Sequence, residues 1–166
     1  KFIYTDEKNK FFDDNDERVI FFCKGVLETV KKLGWAPDII HCQGWMTSLI
    51  PVYLKTIYKD EPVFKNAKVV YSIFENEFKE DLGKDFARKA SLNEIEDKHL
   101  ETYAKGDNKS LHMGGIKNAD AVVDCTTNLD PEYAKMFKAK PSMTHDSDNL
   151  GEKYGAFYEQ LMASAK

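Results

Sequence analysis

Pro37-Asp38-Ile39-Ile40-His41-Cys42-Gln43-Gly44-Trp45-Met46-Thr47 decides the fold. The apolar run over residues 38–42 sits between Pro37 and Gly44 and does not alternate with polar residues. That pattern predicts a strand buried on both faces, as in a parallel sheet. Gln43-Gly44 then makes a strand-to-helix turn. A helix is expected over residues 45–58, with Leu49, Ile50, Tyr53, Leu54 and Ile57 inward and Pro51 in its first turns, where a missing N–H costs least.

Upstream, Val19, Cys23, Val26, Leu27, Val30 and Leu33 recur at three- and four-residue spacing, which predicts a helix over residues 16–33. Asp14 with Glu17 resembles a capping box, Glu28 and Lys32 form an i,i+4 pair, and Gly34 stops the helix. Downstream, residues 67–74 read as a second strand and 119–125 as a third. Residues 130–137 read as a helix with Pro131 at its first position, 138–143 as a short fourth strand, and 154–165 as a terminal helix. The charge-dense stretch 75–110 predicts a loop and one or two exposed helices. Alternating strands and helices indicate an α/β protein with a Rossmann-like parallel sheet. Ligands of such sheets bind beyond the carboxyl ends of the strands, which selects residues 41–46, 74–76 and 124–128 as the region to inspect.

The composition narrows the function. The chain has 166 residues, 42% of them hydrophobic, which suits one packed domain or most of one. Lys and Arg number 24 against 28 Asp and Glu, a net charge of −4 that argues against nucleic acid or an anionic membrane as partner. No apolar run approaches the ~18 residues of a membrane helix, and the first residues carry no signal-peptide pattern. The lack of an initiating Met points to a piece of something longer. Cys23, Cys42 and Cys125 are odd in number and widely spaced, as expected of free thiols in a reducing cytosol. Arg18 and Arg88 are the only arginines, so bidentate clamps on phosphate are scarce. No nucleophile motif, P-loop or G-x-G-x-x-G is present. His145-Asp146-Ser147-Asp148 fits no zinc or calcium spacing, so no metal site is assigned. His112, beside Gly114-Gly115, is expected to be a solvated loop histidine.

His41 to Thr47 leaves two readings open. A His, a Gln, a Trp and a hydroxyl at a strand end can hold a sugar or phosphate through exposed N–H groups and stacking. Alternatively the stretch is a structural turn, with Trp45 packed down and His41 a satisfied core histidine.

The stretch from Asp14-Asn15-Asp16-Glu17-Arg18 through Leu33-Gly34-Trp35-Ala36-Pro37 to Thr47 resembles the glycogen and starch synthases. The family reads P-D-hydrophobic-hydrophobic-H-x-H-D-W-H-T here. Later it carries T-hydrophobic-H-N, matched in position by Ser72-Ile73-Phe74-Glu75, and G-I-x-x-A-D, matched by Gly115-Ile116-Lys117-Asn118-Ala119-Asp120. The order and spacing of the three blocks agree over most of residues 14–137. The chain is also similar to short bacterial synthase-like proteins that carry only the N-terminal domain. The resemblance implies part of the N-terminal domain of a GT-B fold spanning residues 1–166, with the first strands and the C-terminal domain absent. It also implies retaining transfer of glucose from ADP- or UDP-glucose to an α-1,4-glucan, in the cytoplasm and without a cofactor.

The family-matched binding positions are His41, Gln43, Gly44, Trp45, Met46, Thr47, Phe74, Glu75 and Ser110, and most of them are substituted. Gln43 and Met46 stand where the family has His, Gly44 where it has Asp, Phe74-Glu75 where it has His-Asn, and Ser110 where it has Asn. Met113 replaces a nearby Lys. The family's K-x-G-G-L donor loop and the cationic residues of its second domain match nothing in this chain. No catalytic residue is therefore assigned, and a degenerate chain that binds an α-glucan or a nucleotide sugar, or serves as a scaffold, without turnover is expected; the alternative is an active glucosyltransferase completed by missing sequence or a partner subunit. A strand at residues 38–42 without the family's first strands lacks a neighbour, so a remaining domain half or a partner chain is expected at that edge.

Overall fold

The computed structural model describes residues 3–75, 78–146 and 148–163. Four strands form one sheet in the order β1 (Ile39–Gln43), β2 (Lys68–Phe74), β3 (Ala121–Cys125), β4 (Ser142–Thr144), all parallel. Ile40 is opposite Val69, Tyr71 opposite Val122 and Val123 opposite Met143. β1 lies at one edge and, among the described residues, pairs with β2 alone.

Helix α1 (Asn15–Leu33) buries Val19, Ile20, Cys23 and Leu27. Leu33, expected inward, is exposed because it falls in the last turn, beyond the packed region. Gly34 ends the helix at φ 64°, with its N–H on the carbonyl of Lys31 at 3.1 Å. The capping box does not form: Asp14 makes no side-chain cap bond and accepts instead from the Arg18 guanidinium at 2.7 Å. The Glu28–Lys32 pair is also replaced. Glu28 accepts from the Tyr58 hydroxyl at 2.5 Å and lies 3.9 Å from Lys24.

The helix expected over 45–58 is split into a 3-10 turn, Trp45–Thr47, and α2 (Leu49–Lys55), which keeps Pro51 in its first turn. The stretch 75–110 departs most from expectation. It holds α3 (Phe86–Ala90) and 3-10 turns at Asp97–His99 and Glu101–Tyr103, and it buries Leu82, Phe86, Ala90, Ile95, Leu100 and Tyr103 in the core. α4 (Asn108–Asn118) follows, capped by the Asp107 carboxylate on the N–H of Ser110. α5 (Pro131–Phe137) is capped by Asp130 on the N–H of Glu132. α6 (Leu150–Ala163) closes the described chain.

Alternate residues of the central strands define two layers. Val69, Tyr71, Ile73 and Val122 face the core shared with α1, α2 and α4. Val70, Ala121 and Val123 face Phe157 and Leu161 of α6. Gly114 and Gly115 let α4 approach this core. A Cβ on Gly115 would lie 2.5 Å from the ring of Tyr71, and one on Gly114 would strike the ring of Tyr103. Among the described residues no helix is long and apolar enough to cross a membrane.

Candidate functional site

The turn after β1 is held by backbone. Gly44 has φ 74° and ψ 175°, donates its N–H to the carbonyl of Ser72 at 3.0 Å, and accepts from the Tyr71 hydroxyl at 3.2 Å. Thr47 Oγ1 donates back to the Gly44 carbonyl at 2.8 Å. The Cys23 thiol donates to the carbonyl of Met46 at 3.1 Å, so the turn is tied to α1 as well. Trp45 is fully buried among Tyr4, Phe11 and Phe78, with ring centroids 5.3, 6.2 and 4.6 Å away.

His41 points to the α6 face. Its Nδ1 is 2.7 Å from the Tyr158 hydroxyl and its Nε2 is 2.6 Å from Ser72 Oγ. Both ring nitrogens are thus engaged within the protein, and burial lowers the imidazole pKa. Gln43 is exposed and Met46 half-buried. Ser110 is buried in the first turn of α4, its hydroxyl donating to the Asp107 carbonyl at 2.9 Å.

The remaining family-matched residues meet at a cleft. Phe74 and Glu75, at the carboxyl end of β2, line a cavity of about 410 Å³ together with Ile73, Asn108, His112, Thr126, Asn128, Asp130 and Tyr133. Its position matches the general rule for ligands of open parallel sheets, and its volume lies within the range of small-molecule sites. Gln43, Gly44, Trp45, Met46, Thr47 and Ser110 do not line it. Asn76, in the region selected from sequence, lies outside the described residues. Glu75 is not idle: its carboxylate accepts from the N–H of Thr127 at 2.6 Å, which links the ends of β2 and β3. Asp130 caps α5 and pairs with Lys109 at 3.1 Å; the Glu132 N–H and this lysine hold its carboxyl below the usual range.

His112 differs most from its expected role. It is 1% exposed, and burial pushes its pKa down to about 4. Its Nδ1 is 3.0 Å from the Tyr71 hydroxyl, while its Nε2 is buried and has no partner. Asn108 Nδ2 is buried without a partner as well. Sequence reasoning missed Asn108 and Tyr133 as cleft residues. The only signal was the clustering of His112 near Gly114-Gly115, whose helical character the two glycines conceal.

Chemically, the cleft presents hydrogen-bonding groups, aromatic surface and two carboxylates. Among the described residues that line it there is no Lys or Arg; Lys109 stands next to it, paired with Asp130. No group of three or more His, Cys, Asp or Glu among the described residues could hold a metal ion. His145 and Asp146 instead contact the Tyr154 hydroxyl, at 3.1 Å, and Lys153.

Comparison with known proteins agrees with the resemblance. Residues 1–147 match the family model described as the starch synthase catalytic domain. A glycogen synthase of Chlorobaculum tepidum is 36% identical over 147 residues, which is 88% of this chain and 28% of that protein. One of Chlorobium phaeovibrioides is 34% identical over 138 residues, 82% of this chain and 27% of the relative. Over a shorter stretch of 59 residues, a glycogen synthase of Chlorobium luteolum is 59% identical, covering 36% of this chain and 12% of that protein. The matched part of the chain therefore spans 28% of the length of the first of these relatives, 27% of the second and 12% of the third. With the family model matched over residues 1–147 and relatives more than 30% identical over most of the chain, it belongs to the starch synthase catalytic domain family.

Proposed function

We propose that this chain is a glucan-binding member of the glycogen and starch synthase family whose own residues do not carry out glucosyl transfer. One observation carries this reading. The cleft at the carboxyl ends of β2 and β3 has carboxylates and neutral polar groups but no cation among its described lining residues. Retaining transfer from a nucleotide sugar develops charge on a leaving diphosphate, and that charge needs a preorganised positive partner. The substitutions at Gln43, Gly44, Met46, Phe74 and Glu75 point the same way. The three cysteines are free, which fits a reducing compartment, and we assign the cytosol.

The test is paired. Co-sedimentation of the chain with glycogen should retain it in the pellet, whereas labelled glucose from ADP-glucose or UDP-glucose should not enter glycogen. Turnover by the chain alone would reject the proposal, and indifference to glucans would reject the binding half of it.

A second reading has its own support. The matched part of the chain covers 28% of one of the glycogen synthases it matches, and the outer edge of β1 is unpaired among the described residues. An apolar parallel strand at a free edge favours pairing with further strands. In this reading a remaining domain half or a partner subunit lies along β1 and completes an active glucosyltransferase. Addition of a partner or of longer sequence that restores labelled-glucose transfer would establish it; stable behaviour of the chain as a monomer that ignores such partners would count against it.

A further inference from the structure

The geometry points to His112 and Asn108 as the binding residues of this cleft, and to a neutral polyhydroxylated ligand, one sugar unit of a glucan rather than a nucleotide sugar, as its occupant. The inference rests on the glucan-binding proposal above and specifies its site. It starts from two buried polar atoms without partners, His112 Nε2 and Asn108 Nδ2, on residues that line the same cavity of about 410 Å³. Buried polar groups are nearly always satisfied, so an unsatisfied pair on one cavity calls for a ligand or water to complete it.

The chemistry of the missing partner follows from the tautomer. The Tyr71 hydroxyl is within hydrogen-bond distance of both the Gly44 carbonyl and His112 Nδ1. We assign the hydroxyl's single proton to Gly44, which can only accept, so that the hydroxyl accepts from Nδ1–H. Burial keeps the imidazole neutral, with one proton, so Nε2 carries a lone pair and needs a donor. Asn108 Nδ2, with two N–H groups, needs an acceptor. A sugar hydroxyl both donates and accepts, and neighbouring hydroxyls on one ring can meet both demands. Tyr133 and Phe74 supply the apolar wall that a sugar ring stacks on. Glu75 and Asp130 add negative charge at the rim, and Lys109, the nearest cation in the structure's ion pairs to Asp130, is already shared between Asp130 and Glu132 at 3.1 and 2.9 Å. A phosphate would meet the Glu75 carboxylate and find the lysine beside Asp130 already paired. A neutral sugar needs no cation.

The experiment is calorimetric titration of the full chain with maltotriose and, separately, with ADP-glucose, for the wild type and for His112→Leu and Asn108→Ala. Maltotriose should bind, and each substitution should weaken it by about tenfold or more, the cost of one lost hydrogen bond in a buried site. The melting temperature of Asn108→Ala should hold or rise, because the substitution removes an unsatisfied group, whereas His112→Leu also gives up the bond to the Tyr71 hydroxyl and should melt somewhat lower. Should His112→Leu fail to fold, the imidazole 15N shift of the wild type decides: Nε2 should move on addition of maltotriose, as a lone pair does when it accepts a hydrogen bond. Unchanged maltotriose affinity in both variants, a silent Nε2, or tighter binding of ADP-glucose than of maltotriose would overturn the inference. If glycogen co-sediments and the variants still bind maltotriose like the wild type, only the assignment of His112 and Asn108 falls. If no glucan binds at all, the glucan-binding proposal falls with it.

Discussion

Gly115→Ala should destabilise the protein strongly although alanine is the better helix former. Gly115 lies inside α4, where the exchange alone would gain about 1 kcal/mol. The alanine Cβ would instead sit 2.5 Å from two atoms of the Tyr71 ring and 2.9 Å from a third. Tyr71 has no room to retreat, being fully buried, with its hydroxyl fixed between Gly44 and His112. Overpacking of this kind costs about 1–3 kcal/mol. Displacing the ring also breaks two hydrogen bonds at about 1 kcal/mol each. The net loss is about 2–4 kcal/mol, which at this chain length lowers the melting temperature by roughly 5–15 °C. Urea unfolding followed by circular dichroism measures it. Gly25→Ala in α1 is the control, since nothing lies within 4 Å of a Cβ there and the same exchange should stabilise by up to about 1 kcal/mol. Combining Gly115→Ala with Tyr71→Ala should cost less than the two singles added, because removal of the ring relieves the clash. A Gly115→Ala variant as stable as the wild type would refute the claim that the glycine is there for Tyr71.

Stability should also depend on pH through His112. Its pKa is about 6.5 unfolded and about 4 folded, so the unfolded chain takes up the proton first. The contribution is complete above about pH 6.5 and is lost as the pH falls toward 4, on the order of 3 kcal/mol in all. His41, lowered by burial too, adds loss in the same direction. Urea midpoints of the wild type and His112→Leu at about pH 7 and pH 4.5 should diverge, with the wild type losing more; parallel curves would contradict the burial of a neutral imidazole. Asp120→Ala should cost about 1–2 kcal/mol in the same assay, since its carboxylate accepts from the N–H of buried Val69 at 2.8 Å and the substitution leaves that donor unpaired. No loss would mean that water replaces the carboxylate at the start of β2.

The strands were legible because buried parallel strands read as short apolar runs between turn residues, as Ile39-Ile40, Val69-Val70 and Val122-Val123 do. α1 was legible because its inward residues repeat along nineteen regular residues. The stretch 75–110 was not, for a physical reason: Leu82, Phe86, Ile95, Leu100 and Tyr103 reach the core from bends, a five-residue helix and 3-10 turns, which impose no single period on them. α4 was hidden by Gly114 and Gly115, weak helix formers locally, whose presence is explained by tyrosines distant in sequence, Tyr103 and Tyr71. The cleft was half legible. The carboxyl-end rule pointed to Phe74, Glu75, Thr126 and Asn128, whereas Asn108 and His112 arrive on a helix whose orientation depends on those glycine contacts.

Around β1, the positions that the sequence resemblance implies are retained and those it implies are replaced differ in what they hold. His41, Trp45 and Thr47, which the resemblance implies are kept, are each tied to the scaffold: His41 to Tyr158 and Ser72, Trp45 in an aromatic cluster, Thr47 to Gly44. Gln43 and Glu75, which the resemblance implies are replaced, are exposed, and of the two only Glu75 is tied to the scaffold, through the N–H of Thr127. Gly44 is the instructive case, because it stands where the resemblance implies Asp and it is buried. Its φ of 74° with ψ of 175° falls in a region that is essentially glycine's alone. Restoring the family's residue with Gly44→Asp would therefore force a side chain into a strained conformation at about 1–3 kcal/mol. It would also disturb the carbonyl that accepts from Tyr71 and Thr47. Gln43→His, on the exposed end of the strand, should stay within about 0.5 kcal/mol of the parent. Thermal unfolding of the two variants separates the cases. A Gly44→Asp protein as stable as the parent would show that the turn adapts freely to the family residue. A loss confined to Gly44→Asp would mean that this backbone has settled around glycine, so that regaining the family's polar group requires the turn to change conformation as well as sequence.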